Sequence, residues 1–305
     1  MSGGLPVAAI ASARGRTRIA DYAALSKPGI TTMVAAAALA SALVAARGVA
    51  DLETLLWLAV GTALVGAGSN ALNMLLEREV DARMVRTQGR PLPAGRMVPG
   101  EALAFGSLGS TLGVLALTFG AHPLAGLLGA AAVVVYAFLY TPLKRATSLC
   151  TVVGAVPGAM PALIGWAAVR GSLDADAWLL FLLVFFWQLP HFLAIAWMWR
   201  EDYARGGFPM LPVDDADGTA TGRQIVLQTL ALLAVSLLPV ATGLAGRVYF
   251  AGALVLGLAF LALGVRFALR RTRERASALF RASLAYLPAL LGLLVLGGRG
   301  RNFLS

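Results

Sequence analysis

Asn73, Glu77 and Asp81 stand four residues apart in the run Asn73-Met74-Leu75-Leu76-Glu77-Arg78-Glu79-Val80-Asp81. On a helix such neighbours are rotated by only about 40° and rise about 6 Å, so the three oxygen-bearing side chains form a ladder on one face. Asn70 falls on nearly the same face. Amide and carboxylate oxygens are the donors that Mg²⁺ accepts, and Mg²⁺ keeps coordination positions open for phosphate. Arg83, Arg86 and Arg90 follow at once, and acids that hold a metal beside bases that grip phosphate oxygens make a diphosphate site. The same residues also fit a solvated helix end with ordinary i, i+4 pairs, and Glu79 with Arg83 reads that way.

Three further groups carry chemistry. Tyr140-Thr141-Pro142-Leu143-Lys144-Arg145 closes an apolar run, with Tyr140 and Lys144 four apart. It is either a phosphate contact or an interfacial Tyr with a topology-setting base. Trp187-Gln188-Leu189-Pro190-His191-Phe192 puts an indole, an amide and an imidazole inside an apolar stretch, where polar groups usually face a bundle interior. His191 fits a haem-iron or propionate contact, a proton carrier, or a buried imidazole satisfied by a backbone carbonyl. Arg200-Glu201-Asp202-Tyr203 is the counterpart of the first ladder and offers one or two acids. Asp214, Asp215 and Asp217 read as a solvated turn, His122 as an interfacial residue, and Cys150 as a small packing residue.

These groups need a scaffold, and composition names it. The chain has 305 residues, 59% hydrophobic and 13% charged, with 34 Gly. A soluble domain carries about 25% charge. A soluble enzyme, a disordered chain and a disulfide scaffold are excluded, and the net charge of +10 has no soluble surface on which to bind nucleic acid. The fold class is therefore an all-α integral membrane protein. Nine spans are expected, at 30–46, 54–76, 102–120, 123–141, 148–169, 177–199, 224–245, 248–265 and 282–298. Alternate loops hold 20 of the 25 Lys and Arg residues, which puts those loops and the N-terminus in the cytoplasm and the C-terminus outside. Residues 1–26 form a basic cytoplasmic arm, 27–301 one transmembrane domain and 302–305 a tail. The arm does not read as a cleaved signal, because its apolar run precedes its Arg residues. Loops 77–101 and 200–223, both cytoplasmic, concentrate acids beside bases. They follow spans four apart, which suggests a weak parallel repeat around a central site.

With these blocks in order, the chain resembles the UbiA-type intramembrane prenyltransferases and, within them, the haem O-forming branch, the protohaem IX farnesyltransferases. The markers are Lys27-Pro28, the Asn73 to Asp81 ladder, Arg86-Thr87 with Arg90-Pro91-Leu92-Pro93, and Tyr140-Thr141 with Leu143-Lys144. Pro157-Gly158-Ala159 with Pro161, Gly165-Trp166, and Trp187-Gln188 with Pro190-His191-Phe192 leading to Asp202-Tyr203 complete the set. The resemblance implies nine helices around a lipid-open central cavity in the bacterial cytoplasmic membrane, with a mitochondrial membrane the lesser alternative. It implies farnesyl diphosphate and haem b as substrates, and Mg²⁺, as two ions, held by Asn73, Glu77, Asp81 and Asp202. Arg83, Arg86, Arg90, Tyr140, Lys144 and Arg145 would steady the phosphates, and His191 would meet the porphyrin. A downstream haem A synthase is an implied partner. Two departures stand out: Glu77 occupies a position where the superfamily usually has Asp, and Met198 stands four before Asp202 where it usually has a second Asp. Another prenyl acceptor, a quinone precursor or a chlorophyll-type tetrapyrrole, is the alternative within the class. A transporter is the alternative outside it, disfavoured because the acids lie at helix ends and not at the bilayer midplane.

Overall fold

The computed structural model describes residues 17–299, and among them every regular element is a helix. The beginning of the basic arm, with Arg14 and Arg16, and the tail 302–305 lie outside the described residues. A short α1 (Arg18–Ser26) precedes α2 (Pro28–Ala46), α3 (Leu52–Asp81) and α4 (Pro99–Ala116). The chain then forms α5 (Pro123–Val134), α6 (Cys150–Arg170) and α7 (Ala175–Met198). Two short helices, α8 (Arg200–Gly206) and α9 (Leu211–Asp214), lead to α10 (Thr219–Ala241), α11 (Arg247–Leu269) and α12 (Arg273–Arg299).

Among the described residues nine helices are long and apolar enough to cross a membrane, in the order expected from composition. Their edges differ. The second span continues to Asp81, the third begins at Pro99, and the ninth begins at Arg273, not 282. A helix keeps its hydrogen-bond ladder through polar turns beyond the hydrocarbon, whereas an apolar count stops at the first charges. Leu103, Leu108, Phe119 and Val255 are more than half exposed, as lipid-facing side chains are.

Small residues set how closely the helices approach. In α3 and α4, a Cβ on Gly113 would stand 2.6 Å from Val65 N and 2.7 Å from Gly61 O, so the two backbones touch. Helix α6 meets α2 where Ser41 Oγ donates to Ala162 O at 2.6 Å and Gly165 lies against Ala38 O. Helices α6 and α7, both deeply buried, form the centre of the bundle.

Helix α5 is not uniform. It widens to a π-type turn over Val135–Tyr140 before a final turn, Thr141–Leu143. Pro142 has no N–H to offer Phe138 O, and Tyr136 O accepts from Thr141 twice, from its N–H and, at 2.8 Å, from its Oγ1. At the polar end of the bundle, Tyr22 and Leu25 of α1 pack with Ala71 and Met74 of α3 and with Leu92 and Met97 of the following loop. The buried Asp21 accepts from Arg96 Nε at 2.9 Å, tying α1 to that loop.

The α3–α4 contact yields a direct test. Gly113→Leu should cost about 1–3 kcal/mol through overpacking and lower the thermal midpoint in detergent. Gly100→Ala, where a Cβ meets nothing within 4 Å, should leave that midpoint in place.

Candidate functional site

Helix α3 runs unbroken through Asp81, so Asn73, Glu77 and Asp81 do share one face, and all three are buried. They line a cavity of about 660 Å³ together with Lys27, Arg86, Arg90, Tyr140 and Lys144. The same cavity continues past Gly154 and Gly158 to Trp187, His191 and Phe192. Charged groups therefore gather at one end and aromatic, apolar groups at the other.

Both acids of the ladder and its amide have defined partners at the charged end. Lys144 Nζ donates to Glu77 Oε1 at 2.8 Å, and Arg90 Nη1 donates to Asp81 Oδ2 at 2.6 Å. Asn73 is held by both halves of its amide. Its Nδ2 donates to Thr141 Oγ1 at 3.1 Å, and its Oδ1 accepts from Lys27 Nζ at 3.1 Å. Burial pulls the Lys144 ammonium down, but Glu77 outweighs it and holds that group well above the usual lysine value. Lys27 goes the other way: burial, then the charges of Arg90 and Lys144, draw it down to about 7.

Lys27 is the residue that pattern reading passed over as a site. It had only the signal of a base directly before the Pro that opens a span. It adopts a left-handed backbone, φ 46°, between α1 and α2, a conformation that costs a non-glycine residue about 1 kcal/mol. Tyr203 was also passed over: its hydroxyl lies 3.4 Å from Arg86 Nη2, and Arg86 also rests over the Trp199 ring, 5.9 Å from its centroid.

Three expected site residues stand apart from the cavity lining. Arg83 and Arg145 are exposed and point elsewhere. Asp202, expected as a metal ligand, has both oxygens engaged: Oδ1 accepts from Val85 N at 3.0 Å and Oδ2 from Arg86 N at 2.9 Å. Arg205 completes the set. Although burial raises its pKa, these hydrogen bonds dominate and hold Asp202 below the usual carboxylate range. The physical reason for the difference is a break in the helix at Trp199, φ −118° and ψ 23°, before α8 begins. Asp202 therefore does not continue the line of α7, and it positions Arg86. Glu79 pairs with Arg78 at 3.3 Å and not with Arg83.

The donors fit Mg²⁺ in one respect that this geometry makes plain. Asp81 Oδ1 is buried with no hydrogen-bond partner, a vacancy that a hard cation satisfies, and the amide and carboxylate oxygens beside it are the ligand type Mg²⁺ takes. Among the described residues no three His, Cys, Asp or Glu side chains cluster around one point. The ladder consequently offers two carboxylates and an amide, and leaves the remaining positions to phosphate and water. Four cations, Lys27, Arg86, Arg90 and Lys144, face two acids in the same cavity, which suits a polyanion.

Helix α6 shapes the passage between the two ends. A Cβ on Gly154 would strike the Tyr140 ring, and one on Gly158 would strike Gln188 Oε1. Gln188 is fixed by donating to Val184 O at 3.0 Å and Ala155 O at 3.3 Å. At the apolar end, His191 stacks between Trp187 and Phe280, with ring centroids 5.1 and 5.0 Å away.

Comparison with known proteins agrees with this geometry. The sequence profile of the UbiA prenyltransferase family matches residues 33–287. A protoheme IX farnesyltransferase of Solibacter usitatus (strain Ellin6076) is 51% identical over 250 residues, 82% of this chain and 86% of that one. The protoheme IX farnesyltransferase of Salinibacter ruber (strain DSM 13855 / M31) is 45% identical over 275 residues, 90% of this chain and 97% of that one. Among solved structures, a UbiA homologue from Aeropyrum pernix K1 superposes with TM-score 0.71 at 20% identity, covering 87% of this chain and 96% of that chain. A UbiA homologue from Archaeoglobus fulgidus bound to GPP and Mg²⁺ superposes with TM-score 0.65 at 15% identity, covering 90% and 99%.

The two acidic positions separate in a binding experiment. Asp81→Asn should weaken Mn²⁺ binding in the presence of diphosphate, followed by electron paramagnetic resonance, by about tenfold or more. Asp202→Asn should leave it within about twofold, and an equal loss in both variants would return Asp202 to the metal.

Proposed function

The chain belongs to the UbiA prenyltransferase family, and from that premise we propose how its cavity works. It is an integral membrane enzyme that transfers the farnesyl group of farnesyl diphosphate to a vinyl group of haem b, giving haem O and diphosphate. The observation that carries the assignment is the single cavity with a cationic end and an aromatic, membrane-depth end. A substrate with a diphosphate head and a long apolar tail needs both.

Lys27, Arg90 and Lys144 hold the diphosphate, Lys144 leaving Glu77, Arg90 leaving Asp81 and Lys27 leaving the Asn73 amide as phosphate oxygens arrive, while Arg86 closes the entrance. Asn73, Glu77 and Asp81 hold Mg²⁺, as the family neighbour from Archaeoglobus fulgidus carries it with its prenyl diphosphate. Bound there, Mg²⁺ supplies Lewis-acid neutralisation of the leaving group. The donor set supports one ion on the ladder. A second ion would need Asp202 released from Val85 and Arg86. As the C–O bond breaks, the bases retain the departing diphosphate and the apolar walls keep bulk water from the allylic cation. The vinyl group attacks that cation, one water adds to the adjoining carbon and yields its proton, and the hydroxyethylfarnesyl side chain results.

The excess of bases at the end holding Arg90, Lys144 and Arg205 supports a cytoplasmic position for that end in a bacterium, with the C-terminus periplasmic. The single native Cys150 is buried, which gives a clean background for labelling. Cysteine introduced at Gln88 should react with an impermeant maleimide only in inverted vesicles, and at Gly48 only in right-side-out ones. The opposite pattern would reverse the topology. Haem O leaves the site still bearing its methyl groups, and an enzyme that oxidises one of them, a haem A synthase, is the proposed recipient.

The chemistry is tested by mass. Purified protein in lipid vesicles, given farnesyl diphosphate, haem b and Mg²⁺, should convert haem b to haem O. Asp81→Ala or Asn73→Ala, with folding checked by thermal melting, should slow this by about 100-fold or more. Prenylation of an aromatic acid in place of haem, or full activity without either residue, would overturn the assignment.

A further inference from the structure

His191 lies on the cavity wall with its ring set by hydrogen bonds that determine which nitrogen carries the proton. Its Nδ1 is 2.7 Å from Ser283 Oγ. Ser283 Oγ is also 2.6 Å from the carbonyl oxygen of Phe280. A hydroxyl has one hydrogen, and a carbonyl oxygen can only accept. The hydroxyl therefore donates to Phe280 O and must accept from His191, so the proton sits on Nδ1. The neighbouring indole is anchored to the same residue, since Trp187 Nε1 donates to Ser283 O at 2.7 Å. Ser283 is fully buried in α12, and through its two oxygens it sets the orientation of two rings on α7.

Nε2 is left as a bare lone pair. Among the described residues no protein donor reaches it, it is not among the sealed polar atoms, and His191 lines the cavity. Such a nitrogen can accept a hydrogen bond, take up a proton or bind a metal, and the ionised propionates of a porphyrin bring no donor for the first. Proton uptake would create an imidazolium between the rings of Trp187 and Phe280 with Phe192 on its edge. The acids that line the cavity, Glu77 and Asp81, are already paired with Lys144 and Arg90. A charge there would have no counter-ion. Ligation of a metal by neutral imidazole brings no such charge, and a hydrogen bond from the other ring nitrogen is the usual support of a metal-binding histidine.

We propose that His191 Nε2 is an axial ligand to the iron of the substrate haem, and that Ser283 is the positioning residue that fixes its tautomer. The proposal rests on haem b being the acceptor, and it deepens that reading by stating how the porphyrin is registered. An iron held at one point, with the macrocycle free to contact apolar walls, fixes how far each vinyl group lies from the diphosphate end. Specificity for an iron porphyrin over a metal-free one follows.

The test compares two ligands that differ only in iron. Purified full-length protein in nanodiscs is titrated with ferric haem b and with metal-free protoporphyrin IX. His191→Ala should weaken haem b binding by about tenfold or more and abolish the histidine-ligated absorption spectrum, while leaving protoporphyrin IX binding within about twofold. In His191→Gly, added imidazole should restore the wild-type spectrum. Ser283→Ala should shift the haem spectrum and weaken binding to a lesser degree, and Ser283→Thr should restore both. Equal loss of the two porphyrins in His191→Ala would make the residue a packing element and overturn the proposal, as would an unchanged haem spectrum. Wild-type protein that makes haem O without a spectrum dependent on His191 would defeat only this ligation. Wild-type protein that makes none would defeat the acceptor assignment itself.

Discussion

A carboxylate at the end of a membrane helix has to be neutralised, because taking a bare charge out of water costs several kcal/mol even after the surroundings relax. Glu77 and Asp81 are 4% and 0% exposed, and the arrangement of the polar end follows from supplying each with a cation. Those cations come from different parts of the chain: Lys144 from just past α5, and Arg90 from the loop after α3. The loop in turn is held where Thr87 Oγ1 donates to Asp81 O at 2.9 Å and Arg96 reaches back to Asp21 of α1. Folding this end of the bundle is thus largely the consequence of burying two acids. The pairs that neutralise the acids before substrate arrives are the groups that phosphate then recruits.

A second constraint comes from depth. The farnesyl chain is apolar and the acceptor is a flat macrocycle, so the rest of the site must be dry, wide and lined by rings. Pro157, Gly158 and Pro161 in α6 face the cavity with Gln188 and Trp187 of α7 opposite. Glycine at positions 154 and 158 leaves space for Tyr140 and Gln188, neither of which would fit beside a Cβ. The polar atoms that remain at this depth are mostly hydrogen-bonded, as low dielectric requires, and two of the exceptions at the site, Asp81 Oδ1 and His191 Nε2, are the atoms assigned to metals.

Much of this was legible in the residues, for reasons that differ from case to case. The ladder could be read because α3 is one uninterrupted helix, and four-residue spacing on such a helix is geometry. The fold class could be read because composition leaves too few charges for a water-facing surface. Asp202 was read as the counterpart of the first ladder, and the break at Trp199 that turns its carboxylate toward Val85 and Arg86 is a feature that spacing does not report. Lys27 and Thr141 act on Asn73 across 46 and 68 residues of chain, and spacing carries no such long-range information. Ser283 gave no signal at all, since a serine in an apolar helix looks like any small packing residue until the imidazole beside it is seen.

The central claim is that the diphosphate replaces the protein's own groups as the partner of its cations, Glu77 for Lys144, Asp81 for Arg90 and the Asn73 amide for Lys27. A cryo-EM structure with Mg²⁺ and a non-transferable thio analogue of farnesyl diphosphate tests it most directly. The account predicts the diphosphate beside Glu77 and Asp81, with Lys144 and Arg90 moved from those acids onto phosphate oxygens and metal density at Asp81 Oδ1. A diphosphate bound elsewhere, with the Lys144–Glu77 and Arg90–Asp81 pairs intact, would contradict it.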